Sequence, residues 1–102
     1  MSLALARAHT GLEQNDLRMA RSGIYWTLSL QPDNPEALGM KQDLLSRERA
    51  RDAALKAARS CVVQGREQCA WQNANHALSI DSSSTEAKGL LARSIVDSGK
   101  AD

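Results

Sequence analysis

The sequence has no phenylalanine, and its aromatic side chains amount to one Tyr and two Trp. Aromatic rings supply much of the buried area in an ordinary interior, so a thick core of large side chains is excluded. An excess of one charge is missing too: 13 basic against 12 acidic residues leave a net charge of +1. That balance argues against nucleic acid as a partner, because domains that bind it usually carry a basic excess. No apolar run approaches the ~20 residues that cross a bilayer, so membrane insertion is not expected, and no signal peptide is visible. Proline is absent after Pro35, and glycine is absent between Gly39 and Gly65. Hydrophobic residues make up 42% of the chain, and much of that share is alanine. Small side chains let helix backbones approach closely, which suits a thin, two-layer stack of helices.

The strongest signal is internal similarity. Residues 28–40, Leu-Ser-Leu-Gln-Pro-Asp-Asn-Pro-Glu-Ala-Leu-Gly-Met, align without gaps with residues 78–90, Leu-Ser-Ile-Asp-Ser-Ser-Ser-Thr-Glu-Ala-Lys-Gly-Leu, at an offset of 50. The same offset pairs Ala4 with Ala54, Leu5 with Leu55, Ala8 with Ala58 and Ala20 with Ala70.

Periodicity and punctuation predict five helices. The first covers about 3–14 and turns at Asn15-Asp16. The second covers about 16–30, with Met19, Ala20, Gly23, Ile24, Thr27 and Leu28 at three- and four-residue spacing. Gln31-Pro32-Asp33 breaks it. Asn34 then caps a third helix with Pro35 in its first position, where a missing N–H costs nothing. The stretch without Pro or Gly makes that helix long, about 35–64, and Gly65 ends it in the left-handed conformation. The fourth helix covers about 67–80. Ser83 and Glu86 have capping-box spacing ahead of a fifth helix at about 84–97, followed by a polar tail at 98–102. The mixed-sign stretch from Arg47 to Asp52 is expected to be a solvated helix face.

These residues resemble the tetratricopeptide repeat family, in degenerate form. Its motif positions fall on Ala4, Arg7, Ala8, Gly11, Ala20, Ile24, Thr27 and Pro32, and again on Ala54, Ala57, Ala58, Cys61, Ala70, Ala74, Ala77 and Ser82. Leu28-Ser29-Leu30-Gln31-Pro32-Asp33-Asn34 is similar to the family's closing phrase. Arg7 stands where Leu is usual, Ser82 replaces the closing Pro, and most bulky aromatic positions are lost. The resemblance implies an all-α fold of right-handed helix-hairpin repeats, with two hairpins and a further helix forming one domain over residues 1–102. The family period is about 34 residues, so the offset here carries a surplus of about 16. Placed in the third helix, that surplus turns the second hairpin by about 160° around it. Helical pattern from the first residues onward suggests a piece of a longer protein.

Members of the family resemble one another in binding peptides or helices along the inner helix of each hairpin. Carried over, that face is Leu5, His9 and Leu12, then Leu55, Arg59 and Val62; the alternative for the four apolar residues is packing against neighbouring helices. The Lys and Asn clamp that some members use for a C-terminal carboxylate is missing, with Leu5 and His9 at its positions. Tyr25 and Trp26 are adjacent on one helix and cannot both face the same way. Trp26 is either an exposed binding anchor or a cover over Met19, Gly23 and Leu30. Trp71, near Ala74 and Leu78, reads as packing.

Cys61 and Cys69 flank the turn at Gly65. Two readings stand: a disulfide across the hairpin, although helices 8–10 Å apart strain the ~7 Å Cα limit, or two small buried thiols. A bond would imply an oxidising compartment, such as a bacterial envelope or periplasm, and its absence a cytoplasmic one. Cys61, Cys69 and His76 have neither the spacing nor the number of ligands for zinc. His9 and His76 stand far apart with no nucleophile beside an orienting carboxylate, and no Gly-rich phosphate loop occurs. The expectation is a non-enzymatic adaptor or assembly scaffold that needs no cofactor or metal and binds a peptide or helix of another protein. The alternative is homo-oligomerisation, as in a homodimer, through the long third helix.

Overall fold

The structure, a computed structural model, describes residues 2–100 and the side chains of residues 2–93. Five α-helices and no strands occur among the described residues: α1 (Leu3–Glu13), α2 (Leu17–Leu30), α3 (Pro35–Val63), α4 (Glu67–Ile80) and α5 (Thr85–Lys100). The chain is all-helical, as its patterning predicts, and the third helix is the longest at 29 residues. α5 runs three residues past its expected end. Residues 101–102 of the polar tail lie outside the described part.

Helix starts follow local chemistry. The side chains of Ser2, Asp16 and Asn34 accept hydrogen bonds from the backbone N–H groups of Leu5, Met19 and Ala37 at 3.1, 3.0 and 2.9 Å, each satisfying one donor that a helix N-terminus leaves over. At α5 the cap is Ser84, which accepts from Ala87 N–H at 3.1 Å, and not Ser83 as the capping-box spacing suggested. Ser83 is held elsewhere: its N–H and hydroxyl both donate to Asp81 Oδ1, at 3.0 and 2.6 Å.

Two compact units make up the chain, Met1–Glu48 and Arg49–Asp102. The first contains α1, α2 and the first half of α3. Its buried residues include Ala4, Leu5, Ala8, Leu17, Ala20, Ile24, Ala37, Met40 and Leu44. α1 and α2 are antiparallel and touch at backbone range. A Cβ built on Gly11 would stand 2.6 Å from Ala20 Cα and 2.9 Å from Ala20 Cβ, and one on Gly23 would stand 2.7 Å from the Ala4 carbonyl oxygen. Thr27 is buried on this stripe, and its hydroxyl donates to the Gly23 carbonyl at 2.9 Å, which removes the cost of burying it.

The second unit contains the rest of α3, α4 and α5. Its buried apolar residues are Ala54, Leu55, Ala58, Cys61, Ala70, Ala74, Ala77 and Ala87, with Leu78 and Leu90 packed against the cluster of Ala54, Leu55, Ala77 and Ala87. Cys61 is bonded to Cys69, with Cα atoms 5.7 Å apart. The separation is shorter than the mid-helix spacing used in the sequence argument because both residues sit beside the turn, where the two helices converge.

Local structure recurs at the offset of 50. Asn15 (φ +55°) and Gly65 (φ +70°) take the left-handed conformation in the two turns. Asp16 N–H donates to the Gly11 carbonyl at 2.8 Å, and Arg66 N–H to the Cys61 carbonyl at 2.9 Å. Gln31 and Asp81 end α2 and α4 by donating to the carbonyls of Thr27 and Ala77. Buried positions recur as well, with Ala4, Leu5, Ala8, Ala20 and Ala37 matched by Ala54, Leu55, Ala58, Ala70 and Ala87.

Candidate functional site

The six residues that the resemblance assigns to a partner divide when they are placed: two are buried and four reach solvent. Leu5 and Leu55 are core residues, 9% and 5% exposed, so neither offers its side chain to a partner in this fold. Leu12 and Val62 are half-buried. His9 Nε2 lies 2.6 Å from Glu36 Oε1, and Arg59 Nη1 lies 2.9 Å from Glu86 Oε2. These two pairs stand at the same offset of 50 and tie the inner helix of each hairpin to the start of the next helix within its own unit. This cross-helix role, between residues 27 apart, leaves no local signal in the sequence.

The charged stretch at the middle of α3 is more than a solvated face. Arg47 donates to Asp43 on its own helix and, through Nη1, to the Leu12 carbonyl at 3.0 Å and Asn15 Oδ1 at 3.2 Å. Glu48 receives a two-pronged bond from Arg21, Nε to Oε2 at 3.0 Å and Nη2 to Oε1 at 2.9 Å. That bond raises the Arg21 guanidinium above its usual value, with partial burial opposing. In the second unit Arg51 Nη1 donates to Asp81 Oδ2 at 2.8 Å, and Asp81 is 2% exposed. Burial disfavours the Arg51 cation, but bonds to Asp81 and Asp52 outweigh it and hold the group above its usual value. The middle of α3 thus docks on charged hydrogen bonds in each unit, where its sequence is poor in large apolar residues.

Tyr25 and Trp26 have different environments. Arg21 Cζ and Lys41 Nζ lie 4.8 and 5.4 Å from the Tyr25 ring centroid, so that ring is already engaged by two cations. Trp26 lies one residue off the buried stripe of Ala20, Ile24 and Thr27, and is 43% exposed. Leu30, one turn further along α2, is 68% exposed, and Leu3 on α1 is 74% exposed. Arg7 Nε donates to Ser22 Oγ at 3.2 Å, and this register brings Leu3 level with Trp26 in the antiparallel pair. Leu3, Trp26 and Leu30 are thus exposed apolar residues that the register places at the same end of the α1–α2 hairpin. The i,i+4 spacing of Trp26 and Leu30, off the core stripe, signals this in the sequence; the part played by Leu3 does not show there.

Trp71, read as packing, is likewise 43% exposed. It stands one residue past Ala70 in the stripe of Ala70, Ala74 and Ala77, on the flank opposite to the one that Trp26 takes beside its own stripe. Among the described residues no three His, Cys, Asp or Glu side chains gather as metal ligands, and no helix is long and apolar enough to cross a membrane. Comparison with family models, curated proteins and solved structures finds no match to this chain.

Proposed function

We propose that this chain is a protein-interaction module of degenerate tetratricopeptide type, in which right-handed helix hairpins form a rigid scaffold that docks an apolar segment of another protein. The observation that carries the reading is the exposed face of Leu3, Trp26 and Leu30. Exposed apolar side chains are unremarkable singly, but three at one end of a hairpin, one of them a Trp, have the composition of a binding hot spot. The turns and cross-helix pairs that recur at an offset of 50 support the repeat part of the reading. Backbone contact between α1 and α2 through Gly11 and Gly23 keeps the face rigid, which lowers the ordering cost of binding.

The test is capture of partners from the source cell by the chain and by a Trp26→Ala/Leu30→Ser double variant, with helicity checked by circular dichroism. Partners held by the parent and lost by the folded variant support the module. Equal capture by both removes this face from the account. Homo-oligomerisation through the same face is separated by light scattering over a dilution series. A mass that stays at one chain favours a different protein, and a dimer abolished by the double variant favours self-assembly.

A further inference from the structure

We propose that the Cys61–Cys69 bond is a thiol-exchange site, opened at Cys69 by a dithiol reductant, whose reduction loosens α4 while leaving the α1–α2 hairpin intact. The argument begins with what occupies equivalent positions. In the first unit Gly11 and Gly23 bring α1 and α2 to backbone contact with Ala20 and Ala8. Fifty residues on, Cys61 and Asn73 stand in place of the two glycines. Side chains there forbid the same close approach. The disulfide ties α3 to α4 at this point, and Asn73 Nδ2 donates to the Cys69 carbonyl at 2.9 Å with Cys69 Sγ 3.5 Å away. The core beneath is mostly alanine. One hairpin is thus closed by contacts that no redox change alters, and the other by a bond that a reductant removes.

The two cysteines differ in exposure. Cys61 is 6% exposed, whereas Cys69 is half-buried and borders an open surface depression lined by Arg66, Glu67, Gln68 and Gln72. Exchange requires a thiolate to reach a disulfide sulfur in line with the bond, and the depression beside Cys69 is lined by one cation, Arg66, and one anion, Glu67, which leaves it near neutral to an approaching thiolate. One thiolate of the dithiol forms a bond to Cys69 Sγ as the Cys61–Cys69 bond breaks. The electron pair leaves on Cys61 Sγ, which takes a proton. The second thiol of the reductant, as its thiolate, then attacks its own partner sulfur in the mixed disulfide and releases the Cys69 thiolate, which also takes a proton. The protein gains two electrons and two protons, and the dithiol becomes a disulfide.

The experiment compares hydrogen exchange of the intact chain, oxidised and reduced with dithiothreitol. Closing a loop this short constrains the unfolded chain enough to change local opening on the order of 50- to 100-fold. Residues 67–80 should exchange faster by about that factor after reduction, with residues 17–30 changing less than about twofold. Equal exchange of 67–80 in the two states, or matched acceleration of both segments, overturns the proposal. The point of entry is read separately. A pulse of reduced glutathione on the native chain, quenched in acid and mapped by mass spectrometry, should leave the adduct on Cys69. An adduct on Cys61, or reaction only in denaturant, overturns the entry at Cys69.

Discussion

Gly11 and Ala20 lie in backbone contact, so close that a methyl group on Gly11 would meet the Ala20 N, Cα and Cβ together. This contact sets the spacing of α1 and α2, and so the spacing of Leu3 from Trp26. A Gly11→Ala substitution cannot be absorbed by turning a side chain, because the atoms it meets are mainly backbone. The helices must separate, and the chain should lose about 2–3 kcal/mol of stability in urea denaturation. Gly39 lies on α3 with nothing within 4 Å of an added Cβ. There Gly39→Ala should stabilise by about 0.5–1 kcal/mol through helix propensity. A Gly11→Ala variant as stable as the parent would contradict the packing described.

A different outcome is expected at Asp81. Its carboxylate is 2% exposed and is held by Arg51 on one oxygen and by Ser83 on the other. Arg51→Met removes the guanidinium that bonds the buried carboxylate, and breaking a buried pair from one side typically costs about 3–5 kcal/mol. Arg51 keeps 21% of its side chain in solvent, so about 2–3 kcal/mol is the expected loss by chemical denaturation. An Arg51→Met/Asp81→Asn double variant should recover part of it, since an uncompensated charge no longer stays buried. A double variant worse than the sum of the single changes would contradict this.

The paired contacts His9–Glu36 and Arg59–Glu86 recur at the same offset but are open to solvent. Their side chains are 39% and 51% exposed in the first pair, and 54% and 43% in the second. Exposed pairs gain little over hydrated ions, so a double-mutant cycle on Arg59 and Glu86 should give under about 1 kcal/mol. The coupling should fall further in added salt. A larger, salt-insensitive value would mean that the pair is shielded.

Much of the fold is legible in the sequence because it rests on local chemistry. Asn34 caps the helix it precedes, Asn15-Asp16 and Gly65 mark the two turns, and the missing Pro and Gly let α3 run long. The buried stripe of Ala20, Ile24 and Thr27 follows from helical spacing alone. The candidate site is less legible. Leu5 and Leu55 occupy positions that a resemblance assigns to a partner, yet both are buried, because their helices need an apolar residue beside all the alanines. Arg51 and Asp81 are 30 residues apart, and nothing in a one-dimensional charge pattern links them. Trp71 stands beside Ala74 and Leu78 in sequence yet is 43% exposed: a shift of one residue on a helix is a rotation of about 100°, enough to move a ring off the buried stripe.

The central claim is that Leu3, Trp26 and Leu30 form a face for another protein, and site-specific photo-crosslinking in the source cell tests it most directly. A photoreactive phenylalanine analogue replaces Leu30 in one strain, and exposed Gln42 in a control. The account predicts covalent adducts with a different protein at position 30, abolished by Trp26→Ala and absent at position 42. Equal adducts at both positions, or only adducts between two copies of this chain at position 30, would contradict it.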